Sequence, residues 1–285
     1  MKLGSVSGLI TPVPGVDPMV GRVYRAAELG LSVLGVSFVQ EADRAPEHLQ
    51  EVAEAGAKKG IELRLGGGGG EFGNPDREVR ERELERAVNS LLYLNKHTGI
   101  RYSMVANRPM SHNRWAPIPP LDERIDMIGE YLARMADAVA PVGMVLGLEN
   151  HCDYRGHEIA AMLRKANRPN MMAQIDTGNP FTVFEDPIDC AHAMAPYVVS
   201  AHLKDIRVTP LVGAPIFGAR TETVPLGKGH VDNVAICQIL QDKSPDPASL
   251  ALMMEPLLTN VIEDKDAFVR ESIDWAREKL AKFLN

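Results

Sequence analysis

Short apolar runs rich in β-branched residues alternate with longer stretches of helical period from one end of the chain to the other, separated by loops carrying Gly, Pro or Asp. The apolar runs predict strands over 3–10, 31–39, 61–65, 102–107, 144–150, 171–176, 198–202 and 250–255. They show little polar alternation, the pattern of strands buried on both faces of a parallel sheet. The periodic stretches between them predict helices. Over 76–98, Val79, Leu84, Val88, Leu91 and Leu92 follow helical spacing while Arg and Glu fill the opposite face, and Asp76 after Pro75 is the expected cap. The stretch 121–139 repeats the pattern with Ile125, Ile128, Leu132, Met135 and Val139, and 264–284 with Phe268, Ile273, Trp275 and Leu280.

Eight strand-then-helix units in 285 residues leave roughly 36 residues for each. That count predicts an α/β chain closed into a single (β/α)8 TIM barrel spanning 1–285, rather than an open doubly wound sheet. The open form carries G-x-G-x-x-G after its first strand, where this chain has Thr11-Pro12-Val13-Pro14-Gly15. The connection 207–230 is the main irregularity, and its Pro, Gly and Thr content predicts a surface loop at the catalytic face. Gly66 to Gly70 leads into Glu71 with no Lys-Ser/Thr pair, which argues against a phosphate cradle and predicts a mobile loop beside the pocket.

Composition narrows the partners. With 31 Lys+Arg against 38 Asp+Glu, the net charge of −7 repels nucleic acid and anionic membrane, leaving small molecules as the expected ligands. Cys152, Cys190 and Cys237 lie far apart without a C-x-x-C pair, so a disulfide framework and a thiolate zinc site are both unexpected. No apolar run approaches a membrane span or a signal-peptide core, and the expected location is cytoplasmic.

The chemistry gathers at strand ends in the second half. Strand five closes on Gly147-Leu148-Glu149-Asn150, strand six on Gln174-Ile175-Asp176-Thr177-Gly178, strand seven on Ala201-His202-Leu203-Lys204-Asp205 and strand eight on Met254-Glu255-Pro256. In a closed barrel these ends converge on one small volume. Three carboxylates buried together repel one another and lose solvation, so Glu149, Asp176, His202 and Glu255 predict one divalent metal ion. The oxygen-rich set favours Mn²⁺ or Mg²⁺, with Co²⁺ or Zn²⁺ open. Each residue alone could equally cap a following helix, as Asp176 with Thr177 could.

These motifs, with Pro225-Leu226-Gly227-Lys228-Gly229-His230-Val231-Asp232, resemble the xylose isomerase-like barrel superfamily, the sugar phosphate isomerase/epimerase group that includes the tagatose 3-epimerase type. The resemblance covers essentially the whole chain. It implies that Glu149, Asp176, His202 and Glu255 bind the metal and that the two glutamates also serve as acid and base. It further implies an isomerase or epimerase acting on a small sugar or keto-sugar through an enediolate, and a homo-oligomer. A lyase removing water or an aglycone from a keto-sugar is the alternative. An apurinic-site endonuclease of the same superfamily is disfavoured by the acidic balance and sparse histidines, and a binding module without catalysis stays open.

One residue departs from the pattern. Asn179 stands three residues beyond the strand-six aspartate, where ketose epimerases carry a histidine, so that contact is not carried over. His151, two residues after Glu149, is an additional base or a hydrogen-bonded histidine orienting a ligand, with equal weight. Substrate-facing positions are assigned to Asn179, Lys204, Arg207, Arg220 and Trp115, the last with His112 and Arg114 as a wall against a sugar ring. Solvation is the competing role for the arginines, and an ion pair with Asp205 for Lys204. His230 is expected to scaffold a helix start, Cys152 to fill space, and Met253 and Met254 to be core.

Overall fold

The computed structural model describes all residues except 39, 41, 108–111, 212, 214–217 and 257–261. Eight parallel strands close into a barrel: β1 (Lys2–Val6), β2 (Val33–Val36), β3 (Glu62–Gly70), β4 (Tyr102–Asn107), β5 (Val145–Glu149), β6 (Met171–Asp176), β7 (Val198–Leu203) and β10 (Ala251–Met254). Between β7 and β10 the chain inserts a hairpin, β8 (Asp205–Leu211) and β9 (Gly218–Val224), outside the barrel. The helices are α1 (Pro18–Glu28), α2 (Pro46–Lys59), α3 (Arg77–Thr98), α4 (Leu121–Val139), α5 (Gly156–Ala166), α6 (Pro187–Met194), α7 (Asn233–Lys243) and α8 (Lys265–Lys279). None among the described residues is long and apolar enough to cross a membrane.

Local chemistry explains the boundaries. The side chains of Asp17, Asp76, Asp186, Asp232 and Asp264 accept backbone N–H groups at the starts of α1, α3, α6, α7 and α8. Each satisfies donors that a helix start leaves unpaired, a contribution of roughly 1 kcal/mol. The apolar helix faces pack on the outer barrel surface, where Leu34, Leu148, Ile175, Ala201, Leu252 and Met254 join one continuous core. Inside the barrel, Val33, Ala251 and Met253 form a small separate cluster. Both Met253 and Met254 are buried, as expected of core positions.

Three segments differ from expectation. The glycine run belongs to β3 rather than to a loop, with Gly68, Gly69 and Gly70 in register with Val105, Ala106 and Asn107 of β4 after a shift between Leu65 and Gly68. Gly69 has φ +107°, and a Cβ there would lie 2.1 Å from the Ala106 carbonyl oxygen, so only glycine allows the two backbones to approach. The 207–230 connection is largely an antiparallel hairpin, with Asp205 opposite Val224 and Leu211 opposite Gly218. Its β-branched content outweighs the Pro and Gly that suggested a loop. The first strand stops at Val6, because Ser7–Leu9 turns into a 3-10 helix. The expected end of the second strand, Val39, lies outside the described residues.

The loop after β4 is held by a buried cation. Arg124, fully enclosed on α4, donates to the carbonyls of Asn113, Ala116 and Pro119 and so closes the segment that carries Trp115.

Candidate active site

In a strand every second side chain faces the same side, and in this barrel the inward-facing residue nearest each carboxyl end stands at the mouth. Glu149 ends β5, Asp176 ends β6, His202 is the penultimate residue of β7, and Glu255 directly follows β10. The ladder sets Asp176 in register with His202, while Glu149 pairs with Gln174 and His202 with Met253, so the barrel's stagger offsets Glu149 and Glu255 by two residues from that pair. One ligand atom from each of the four lies within 4.8 Å of the other three. His202 turns Nδ1 toward the carboxylates, 3.0 Å from Glu149 Oε1, 3.0 Å from Glu255 Oε2 and 3.9 Å from Asp176 Oδ2. Three carboxylates and one imidazole at this spacing are a fitting donor set for a divalent ion.

Lys204 is part of the same group. Its Nζ lies 2.7 Å from Asp176 Oδ2 and 3.0 Å from Glu255 Oε2, and it donates to Asn179 Oδ1 at 3.1 Å. The anticipated pairing with Asp205 is therefore corrected: the Asp205 carboxylate accepts the backbone N–H groups of Ile206, Gly227, Gly229 and Val231. Sequence reasoning placed these two neighbours together, but successive residues of an extended chain point opposite ways. The carboxylates also face His202 and Lys204, cationic partners beside the expected metal.

The protonation states follow from this packing. Burial disfavours the His202 imidazolium, yet the Glu255 and Glu149 carboxylates outweigh it and raise its pKa to about 10. Burial opposes ionisation of Glu255 as well, but His202 and Lys204 hold it well below the usual carboxylate range. Glu149 is also lowered, because its hydrogen bond with His202 and the imidazolium charge overcome burial. Asp176 goes the other way, to about 6: burial and the two glutamates prevail over Lys204. Asn150 shapes this aspartate by accepting its N–H at 2.6 Å and donating to its carbonyl at 2.9 Å.

The remaining predicted residues separate into two groups. Asn179 is buried beside Asp176, donating its N–H to Asp176 Oδ1 at 2.9 Å while its side chain holds Lys204. His151 is half-buried and stands outside the four-residue group; its carbonyl accepts the Asp153 N–H at 2.7 Å. Arg207 and Arg220 lie exposed on the hairpin and share Glu222, at 3.4 Å and 2.6 Å, with Arg207 also donating to the Lys228 carbonyl. Trp115 is half exposed, edge-on to Phe184 at 6.2 Å and capped by Arg114. His230 accepts the Val208 N–H at 3.1 Å, tying the hairpin down, while Asp232 caps the following helix.

A cavity of about 840 Å³ opens beside the group, with His202, Glu255, Met253, Arg64, Phe38 and His48 in its wall. That volume suits a small molecule. Arg207, Arg220 and Trp115 do not line it. Phe38 and His48 were missed because β2, which precedes both, ends without a metal-competent residue; Phe38 lies two residues beyond the end of β2 and His48 in the first turn of α2.

Asp153 was missed as well. It is almost fully enclosed, and burial together with the nearby Glu149 charge raises its pKa to about 7. A carboxyl raised in the folded state favours folding when protonated, and that advantage is lost as pH climbs from about 4 through about 7. Thermal melts across this window should show wild-type stability declining with pH by about 2–4 kcal/mol at most, and Asp153→Asn should flatten the decline. Parallel melting curves for the two proteins would exclude this role.

Comparison with known proteins places the chain in context. A family model described as the xylose isomerase-like TIM barrel matches residues 23–279. L-ribulose 3-epimerase superposes with a TM-score of 0.75 over 99% of this chain and 95% of its own, at 14% identity. The IolI protein, solved with a binding zinc atom, gives 0.74 over 100% of both chains at 15% identity. These likenesses are likenesses of fold. Among curated sequences, the uncharacterized protein YihM of Escherichia coli (strain K12) is 25% identical over 85 residues, which span 30% of this chain and 26% of that protein.

Proposed function

The chain belongs to the xylose isomerase-like TIM barrel family, and from that premise we propose that it is a divalent-metal-dependent isomerase or epimerase of a small sugar or keto-sugar. The observation that carries the reading is the convergence of Glu149, Asp176, His202 and Glu255 within 4.8 Å, with Glu255 in the wall of a cavity sized for such a substrate. Neighbours described as an L-ribulose 3-epimerase and as a zinc-binding protein support both the reaction class and the metal.

Those four residues would hold the ion, which when bound polarises a substrate carbonyl and acidifies the adjacent carbon. The protein's own groups then move the proton. Glu255, a quarter exposed and kept ionised by His202 and Lys204, is the base that reaches the cavity. Glu149 sits across His202, with both carboxylates 3.0 Å from the same Nδ1, and serves as the second acid/base group. Return of the proton to the opposite face gives an epimer, and return to the neighbouring carbon an aldose-ketose isomer. Lys204, held by Asn179, keeps Asp176 and Glu255 in place.

Incubation of metal-loaded protein with a panel of ketoses and 3-keto sugars in D₂O tests the proposal. The expected product has the composition of the substrate with one solvent deuterium at the reacting carbon, read by NMR and mass spectrometry. Loss of water or an aglycone would replace this reading with elimination, and absence of exchange in every substrate would remove it.

A further inference from the structure

At about 840 Å³ the cavity beside the four-residue group lies toward the upper end of the roughly 300–1,000 Å³ range of small-molecule sites, which leaves room for a substituent beyond a sugar ring. Its wall extends from His202, Met253 and Glu255 to residues of α1, the start of α2 and one face of α3. The glycine run of β3 lies in the same wall. Gly66 and Gly67 stand beyond the last pair of β3 with β2 and within its register shift against β4, and a Cβ on Gly67 would meet nothing within 4 Å. These residues contribute backbone only, so they take little volume from the cavity.

The wall is also basic, in a chain of net charge −7. Arg22, Arg44, Arg64 and Arg86 all line it. Two of the four are neutralised, Arg64 by Glu62 at 2.7 Å and Arg86 by Glu83 at 2.8 Å. Arg44 meets neutral groups instead: its Nη2 donates to Ser90 Oγ at 2.9 Å, and its guanidinium lies 5.6 Å from the centre of the Tyr93 ring. Arg22, half-buried on α1, has a buried Nε and no hydrogen bond or ion pair among the described residues. The other arginines with a buried, unpaired Nε, Arg25, Arg80 and Arg124, bond through their remaining nitrogens to Glu28 or to backbone carbonyls. The nearby aspartates are engaged elsewhere. Asp17 accepts the N–H groups of Met19 and Val20 and lies 3.6 Å from His48 Nδ1, and Asp43 accepts the Gln40 N–H at 3.4 Å.

A buried guanidinium N–H without an acceptor carries a desolvation penalty that a ligand oxyanion removes. The planar fork of arginine matches a carboxylate or a phosphate with two parallel hydrogen bonds. We propose that Arg22 and Arg44 form an anion subsite of this cavity, and that the substrate is a keto-sugar bearing a carboxylate or phosphate rather than a neutral ketose. The reacting carbons then lie at Glu255 and the oxyanion at the arginines, so the two ends fix the direction in which the substrate enters.

This inference rests on the isomerase reading above and deepens it, and calorimetric binding separates the two. D-fructose 6-phosphate, 5-keto-D-gluconate and D-fructose, titrated into metal-loaded protein, supply the phosphate, carboxylate and neutral arms. At least one anionic sugar should bind about 10- to 100-fold more tightly than D-fructose, and the one that does so identifies the oxyanion. Arg22→Met removes the charge while keeping an unbranched side chain, and should cut that advantage to within about threefold. Arg44→Gln should lower it about tenfold, and makes the test by itself if Arg22→Met does not fold. Failure of both anionic sugars to bind more tightly than D-fructose, or an anion preference that survives in the folded variants, overturns the subsite. Anionic sugars that bind through Arg22 yet never exchange deuterium would remove the isomerase reading and keep the subsite. Exchange on ketoses bound without preference for the anion would do the reverse.

Discussion

Glu255→Gln should lower turnover by about three orders of magnitude while leaving the circular dichroism spectrum and overall fold unchanged. The amide matches the carboxylate in size, so the cavity wall that Glu255 helps to form is kept, but it cannot accept a proton and offers a metal no charge. His202 and Lys204, each 3.0 Å from Glu255 Oε2, lose one of the anions they face. The loss should fall on kcat more than on KM, because the missing interaction is one made as the proton moves. Steady-state kinetics on any ketose that the protein converts provide the check, and a variant within tenfold of wild type would remove Glu255 from the proton path.

Removal of divalent ions by chelation should take turnover to background, and the stripped protein should rebind metal with release of about one proton per ion. The sign follows from His202. In the metal-free protein its pKa lies near 10, so at neutral pH the imidazole is protonated, whereas a ligand nitrogen must be free. Proton and metal therefore compete for Nδ1, and affinity should rise about tenfold for each pH unit between roughly 6 and 9. Below about 6, protonation of Asp176 should steepen the dependence further. Calorimetry in two buffers of different ionisation enthalpy measures the released proton directly; a pH-independent affinity would show that His202 is not a ligand.

The two expectations draw on the same arrangement. Glu255 is kept ionised by the cations beside it, and those cations in turn occupy the space and the charge that a metal would claim. Loading this group with a divalent ion would therefore exchange a proton for the ion rather than fill an empty socket.

Much of the barrel could be read locally. Strand and helix periods depend on which neighbours share a face of the same element, so the eight strand-then-helix units, the Asp76 cap and the placement of Glu149, Asp176, His202 and Glu255 at strand ends all follow from residue order. The glycine run was harder. Glycine removes the side chains on which a strand pattern depends, and only the close approach of Gly69 to Ala106 shows why the run is extended and paired. The 207–230 hairpin was concealed in a similar way, by turn-forming residues that lie within strands held together across the pair.

What the order of residues determined by itself was the fold class and the set of side chains delivered to the barrel mouth, because both are consequences of short-range periodicity. What only the tertiary structure decided was the contacts among them: Lys204 turning to Asp176 and Glu255 instead of its neighbour Asp205, Arg207 and Arg220 meeting on Glu222 away from the cavity, and Gln174 lying beneath His202 with Tyr102 behind it. These pairs come from different strands or from opposite faces of one, and their distances are set by ladder register and barrel closure, which no local pattern encodes.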